Sequence, residues 1–357
     1  EYHRLRFGES YAKNKFRQKL EQYDITIPLD RVELDMGHFN IGIVEFIGGK
    51  KYYLGTVSIA LVFDVGTASL LGYSIQVGKN KETTSYVVAS IHHAINKKPD
   101  PTYIQYGVFR LGVMDAGTPY RSATTKSFFQ KIQGSFETTE VRKPYSKGFV
   151  ENFVNRLRLE FFQGLEGYCG PFDPSRYTDA NIKKDAKYTF KQFHQKFVNY
   201  IRDYHNAPLD RLNGLTPNEA WKKGVELYPV MEPADIAELR KYKGLETTVK
   251  YNINYGTTYD YQRFNSTELK AMYEEYCIAT EKDYMELTLL VDLNDASSVS
   301  VVVPSIISPN PREIVLIEVP NTNKKAVGKT FNELSVIEGR CELLDGATTF
   351  IEDDNLS

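Results

Sequence analysis

Between residues 31 and 76, the pattern of apolar and polar positions is strand-like. Val32, Leu34 and Met36 alternate with Glu33, Asp35 and Gly37, a pattern that predicts a strand. Tyr52–Phe63 is a second apolar run, closed by the turn signal Asp64-Val65-Gly66, and Leu70–Val77 is a third. Short turns between such runs favour antiparallel neighbours. The period then changes. Val87, Val88, Ile91, Ala94 and Ile95 recur at helical spacing, and Pro99-Asp100-Pro101 ends that helix. Tyr106–Met114 reads as a short apolar strand, Thr124–Ile132 as a helix and Ser135–Val141 as a strand. Phe149–Phe162 and Tyr188–Tyr204 read as helices. A strand meander followed by helix-connected strands predicts an α/β layer architecture with a mixed sheet.

The texture shifts after Trp221. Met231–Lys243 is a short charged helix or linker. Strand-like runs then follow at Thr248–Ile253, Tyr259–Phe264, Tyr284–Val291, Val299–Val303 and Ile314–Val319, with a helix at Ser266–Tyr276. Several short strands at close spacing suggest a small barrel. The expected organisation is a linker over 1–30, a core over 31–230, a linker over 231–245, a small all-β barrel over 246–332 and an acidic tail over 333–357.

Composition narrows the class. The 357 residues are 41% hydrophobic and 25% charged, which excludes a disordered, collagenous or coiled-coil chain. No run of ~18 apolar residues is present, so no spanning helix is expected. Three widely spaced cysteines argue against a disulfide framework and for a reducing compartment. There is no visible secretory leader, and the start at Glu1 reads as that of a fragment. The net charge of -2 hides an asymmetry: residues 268–357 hold 7 Lys and Arg against 17 Asp and Glu, so the rest is basic. A basic body suggests an anionic partner.

Three carboxylates stand out. Asp35 is mid-strand, on the face opposite Val32, Leu34 and Met36, where Asp is poorly suited. Asp115 follows a strand's carboxyl end, the place where ligands gather in open α/β sheets. Glu151 lies in the first turn of a helix whose buried stripe is Val150, Phe153, Val154, Leu157 and Phe161. Carboxylates from separate elements suit Mg²⁺, which prefers oxygen ligands and keeps several waters. Lys147, Asn155 and Arg158 share the Glu151 face and would meet phosphate oxygens. Taken singly each acid has an ordinary structural explanation, and the helix dipole alone favours Glu151. Asp64 also ends an apolar strand, but its turn context favours a structural role. His38 could approach the site and reads better as a strand-end residue, while His92 and His93 show no metal spacing.

The joint spacing carries more. There are 35 residues between Asp115 and Glu151, the motif Lys147-Gly148-x-x-Glu151 surrounds the last acid, and Asp35 lies 80 positions before Asp115. This resembles the Asp-Asp-Glu triad of transposases and retroviral integrases, with their RNase H-like core. Gly214-Leu-Thr-Pro217 and Glu219-Ala220-Trp221 resemble the motif that closes the core. Lys250-Tyr-Asn-Ile-Asn and Leu290-Val-Asp292 resemble the barrel that follows it in Mu-type transposases.

The resemblance implies an RNase H-like mixed five-stranded sheet flanked by helices, with Asp35, Asp115 and Glu151 as catalytic metal ligands. It implies two Mg²⁺ ions, with Mn²⁺ able to substitute, and 3′-end cleavage and strand transfer on transposon-end and target DNA. It further implies a homo-multimer on paired ends, a missing DNA-binding region before the core, an AAA+ ATPase partner and a cytoplasmic, nucleoid-associated location with no membrane contact. The alternatives are an RNase H-fold nuclease that cuts without joining, and a non-catalytic DNA-binding subunit. A binder of small anions finds no Gly-rich phosphate loop in support.

Overall fold

The computed structural model describes residues 27–47, 50–78, 84–114, 123–132, 135–138, 147–170, 179–292, 295–311 and 314–331, with Leu334 and Glu338. Strands β1 (Arg31–Ile47), β2 (Lys50–Asp64) and β3 (Ser69–Gly78) form the expected antiparallel meander. β4 (Leu111–Met114) and β5 (Ser135–Thr138) continue the sheet in parallel on the other side of β1, giving the order β3–β2–β1–β4–β5. Parallel neighbours need crossovers, which α1 (Thr84–Ile95) and α2 (Ala123–Lys131) supply. Two-residue β6 (Tyr188–Thr189) pairs with the far half of β1 at Ile43 and Val44.

β1 is buried on both faces. Val32 and Leu34 pack with Val87, Val88 and Ile91 of α1 and with Phe128 and Phe129 of α2. The alternate positions Phe39, Ile41 and Ile43 pack under α3 (Gly148–Arg156), the π-helical turn Leu157–Phe161 and α5 (Phe190–His205). Between these last two, α4 (Asp179–Asp185) packs on β1 and β2. Strand side chains alternate between faces, so Glu33 and Asp35 share the side covered by α3.

The expectations for individual elements differ from the structure in four places. Of Tyr106–Met114, the residues from 111 onward are strand. Before them, Gly107 N–H donates to Ala94 O, Val108 N–H to Met231 O and Arg110 N–H to Leu29 O. The run is apolar because it is buried, and its hydrogen bonds go to three separate segments. Gly107 has φ +132, and the side chains of Val230 and Leu29 occupy the space a Cβ would need, so the crossing requires glycine. The Phe149–Phe162 helix is α-helical to Arg156 and π-helical beyond it. The run from Tyr188 opens with β6, and Thr189 and Gln192 then cap α5 reciprocally. Finally, Tyr259–Phe264 is a hairpin. β8 (Thr257–Tyr259) and β9 (Gln262–Phe264) meet at Asp260 and Tyr261, with φ 43 and 61.

After α6 (Pro217–Leu227) and α7 (Ile236–Arg240), strands β7 (Leu245–Lys250), β10 (Glu286–Val291), β11 (Ser298–Val302) and β12 (Leu316–Pro320) form an antiparallel sheet in the order β12–β11–β10–β7. α8 (Thr267–Thr280), capped by Ser266, packs against it. The β8–β9 hairpin joins the two ends of this sheet. Asn252 and Gly256 bridge between β7 and β8, and at the other end Asn265 N–H donates to Pro320 O and Thr322 N–H to Arg263 O. Segment 231–245, expected as a linker with a short charged helix as the alternative reading of Met231–Lys243, carries the helix α7 and the fully buried Tyr242. Residues 1–26 and 339–357 lie outside the described residues.

Candidate functional site

The site begins with two acids two positions apart on one face of β1. Asp35 is half-buried, its side chain 21% exposed, and Lys147 Nζ donates to its Oδ1 at 2.8 Å. The Lys147 side chain is 4% exposed, so this ion pair is shielded from the solvent that weakens surface pairs. Glu33 is 1% exposed. Its Oε2 accepts from the backbone N–H of Phe149 at 2.9 Å and of Val150 at 3.0 Å, and Arg31 Nη2 donates to Oε1 at 3.3 Å. Burial pushes the Glu33 carboxyl above its ordinary range, while the Val150 amide, the Arg31 charge and the Phe149 amide pull it back.

Lys147 sits at the N-cap of α3 and makes no side-chain cap bond. The helix that carries Glu151 is therefore capped from β1 by Glu33, and its N-cap side chain reaches Asp35. Two links cross the strand–helix contact in opposite directions. Glu151, partly exposed, is four residues after Lys147, a spacing that puts both on one helix face. At Gly37, two residues beyond Asp35, the Phe39 ring fills the space a side chain would take, since a Cβ there would lie 2.6 Å from it.

Asn155 and Arg158 lie farther along. Arg158 Nη1 donates to Asn155 Oδ1 at 2.9 Å, and its guanidinium lies 5.7 Å from the Phe39 ring centre. The Phe39 ring in turn stacks on Phe162 at 3.8 Å. Asp115 lies outside the described residues. It follows Met114, the last residue of β4, whose Leu111–Val113 pairs with Arg31–Glu33. The structure thus brings together Asp35, Lys147 and the first turn of α3. Among the described residues, no group of three or more His, Cys, Asp or Glu is arranged to hold a metal.

The remaining sequence candidates have other work. Asp64 is fully buried and holds the β2–β3 turn, accepting from Leu29 N–H at 2.9 Å, Thr67 N–H at 2.8 Å and Thr67 Oγ1 at 2.6 Å. His38 is on the face of β1 opposite Asp35, and its Nδ1 is 2.7 Å from Ser58 Oγ. His93 Nδ1 accepts from Tyr73 N–H. Glu33 is the site residue that the sequence reading passes over. The available signal was the apolar run Phe39, Ile41 and Ile43 on its own face, which marks that face as covered and an acid there as buried.

The sequence model of the TnsB C-terminal domain matches residues 33–167, from Glu33 through α3 and the turn after it. No curated protein matches the chain. Similar solved structures include a chain in the simian T-cell lymphotropic virus intasome in complex with PP2A regulatory subunit B56 gamma, at 14% identity over 87% of this chain and 81% of that one, TM-score 0.37. They also include the catalytic core domain of BIV integrase, at 15% identity over 56% of this chain and 97% of that one, TM-score 0.32. The HTLV-2 integrase catalytic core in complex with magnesium is similar at 15% identity over 55% and 98%, TM-score 0.28. The TnsB match spans the segment that holds Asp35, Lys147 and Glu151, and it supports a transposase/integrase-like superfamily for this chain.

Proposed function

We propose that this chain is the catalytic part of a DNA transposase, with an RNase H-like core and a small β-barrel built from β7–β12. The observation that carries the reading is the seating of the first turn of α3 on β1, with Lys147 on Asp35 and Glu151 one turn on, inside the TnsB-matched segment. The joining of the second sheet's two ends by the β8–β9 hairpin supports the barrel.

Asp35, Asp115 and Glu151 would hold divalent metal. The donor chemistry fits: carboxylate oxygens suit Mg²⁺ or Mn²⁺, and the Lys147 ammonium takes only Oδ1 of Asp35, so an ion would meet Oδ2. When bound, such ions supply activation of an attacking oxygen and stabilisation of a leaving one. The chain's own part is positioning. β1 and α3 fix the carboxylates and Lys147 holds Asp35, while Asn155 and Arg158 orient phosphate oxygens of the DNA end. Water attacks the phosphodiester at the element's end and releases a 3′-OH, which then attacks a phosphodiester of target DNA, breaking its P–O3′ bond and releasing a target 3′-OH. Work on paired ends implies a homo-multimer, the nucleoid is the expected location, and the acidic segment after residue 332 would dock an AAA+ ATPase.

The test is joining of a labelled, pre-cut DNA end of the encoding element to a plasmid in Mg²⁺ or Mn²⁺, by the full chain and by Asp35→Asn and Glu151→Gln. Joining by the parent that falls more than about a hundredfold in each variant is expected for lost metal ligation. Cutting without joining would favour the nuclease. Near-normal joining by either variant would remove that residue from the site.

A further inference from the structure

Glu33 is a buried acid to which the proposed chemistry gives no task. A carboxylate in the interior is costly unless its oxygens are satisfied. Here they are satisfied by the two backbone amides that open α3 and by Arg31. The first N–H groups of any helix lack intrahelical partners, and a local Ser, Thr or Asp at the N-cap usually accepts from them. In α3 the N-cap is Lys147, which has no acceptor to offer. The acceptor comes from another element, two residues before Asp35. With a local cap, only the apolar face of α3 and the Lys147–Asp35 pair would hold it to the sheet. A cap from β1 ties the helix to the strand.

We infer that Glu33 is a positioning residue that sets Glu151 relative to Asp35. The inference rests on the reading above, in which Asp35 and Glu151 share a divalent cation. Val150, whose amide Glu33 binds, is covalently next to Glu151. Functional constellations tolerate about 0.5 Å of error, so a helix released at its first turn loses the ligand spacing even where the fold survives. Glu33 itself is not a ligand, because Oε2 is occupied by two amides and Oε1 faces Arg31.

The experiment is Mn²⁺ titration of the full chain, with free Mn²⁺ read by electron paramagnetic resonance, for the parent and for Glu33→Gln, Glu33→Leu and Glu33→Asp. Circular dichroism establishes that each is folded at the working temperature. Glu33→Gln retains an oxygen acceptor at the same reach and should bind within about threefold of the parent. Glu33→Leu leaves both amides unpaired and should bind at least about tenfold more weakly, the scale seen when a group supporting a metal ligand is lost. Glu33→Asp keeps the charge but withdraws it by one methylene, and should fall between the two. A merely structural Glu33 would lower the melting temperature of Glu33→Leu and leave the Mn²⁺ affinity of its folded form unchanged, which overturns the inference. If Glu33→Leu does not fold, parent-like affinity in Glu33→Asp overturns it equally. A parent that binds no Mn²⁺ at millimolar concentration removes the metal-site reading itself, a result distinct from the other two.

Discussion

Asp64 and His205 are both fully enclosed, and burial moves them in opposite electrostatic directions. Desolvation raises the Asp64 carboxyl to about 6, against the hydrogen bonds from Thr67 and Leu29. Desolvation lowers the His205 imidazole to about 3, with the Lys98 charge adding to it. The His205 Nε2 accepts from Leu70 N–H at 3.1 Å, a bond that needs the neutral ring. Between pH 6.5 and 3 the unfolded chain protonates this imidazole and the folded chain does not, so its contribution to stability falls as pH falls. Asp64 has the reverse sign. Between about pH 6 and 4 the folded chain holds a proton that the unfolded chain releases, so folding gains as pH falls through that window. The two effects oppose each other between pH 6 and 4, and the His205 loss continues alone below it. In His205→Gln the amide oxygen can still accept from Leu70. Urea unfolding should therefore show its stability relative to the parent rising by on the order of 2 kcal/mol between pH 6.5 and 4. Parallel pH profiles for the two chains would show that His205 already titrates normally.

The same imidazole has a part at the scale of the element. β3 is an edge strand, and edge strands expose unpaired backbone groups that invite association. Here side chains cover them. His205 accepts from Leu70 N–H, Tyr103 Oη donates to Leu70 O, His93 accepts from Tyr73 N–H, and Tyr204 Oη donates to Ala68 O. None of this is legible along the chain, since the four partners come from α1, α5 and a loop. The strands themselves were legible, because the start of β1 alternates, β2 and β3 are apolar runs, and the β2–β3 turn carries Asp, Gly and Thr. The β8–β9 hairpin was hidden for a different reason. Its turn residues Asp260 and Tyr261 both have positive φ, and Tyr gives no turn signal. Left-handed backbone costs a non-glycine residue about 1–2 kcal/mol, and Tyr261 is 79% exposed, so little packing is lost with its ring. Tyr261→Gly should stabilise the chain by about 0.5 kcal/mol after glycine's own entropy cost, seen as a higher urea midpoint with an unchanged slope. A lower midpoint would mean that the ring packs in solution. The candidate site was legible as residue types at a spacing. Its support, Glu33, was not, because capping from a distant strand leaves no local pattern.

At the scale of the molecule, the two sheets share one interior. Trp221, Tyr242, Leu290 and Leu316 lie in the same apolar cluster as Leu34, α1 and α2, and Tyr242 Oη donates to Ile314 O while lying 3.2 Å from Ser127 Oγ. Charge is distributed less evenly than packing. Residues 180–202 hold Lys183, Lys184, Lys187, Lys191, Lys196 and Arg202 against a single acid, Asp185. Those of α4 and the start of α5 flank the place where β6 meets β1. Lys51 donates to Ala186 O, Lys183 lies over the Tyr53 ring and Lys196 over the Tyr188 ring. Lys187 is ion-paired with Glu166, and the exposed Lys183, Lys184, Lys191 and Lys196 have no carboxylate within ion-pair reach among the described residues. Asp35 and Val44, where β6 pairs, are nine residues apart on β1, roughly 30 Å of strand. That is close to one turn of duplex DNA, about 34 Å, and α5 covers the same side of the sheet as α3. A duplex engaged at Asp35 could therefore lay its backbone across these lysines. Replacing Lys183, Lys184, Lys191 and Lys196 together with Gln should weaken binding to duplexes of any sequence and flatten its dependence on salt. Each lost phosphate contact lowers the log–log slope by about 0.9, so a drop of 2 to 4 in anisotropy titrations is expected, whereas Asp35→Asn leaves the slope unchanged. An unaltered slope in the quadruple variant would make these lysines a solvated face and would overturn this path for the DNA.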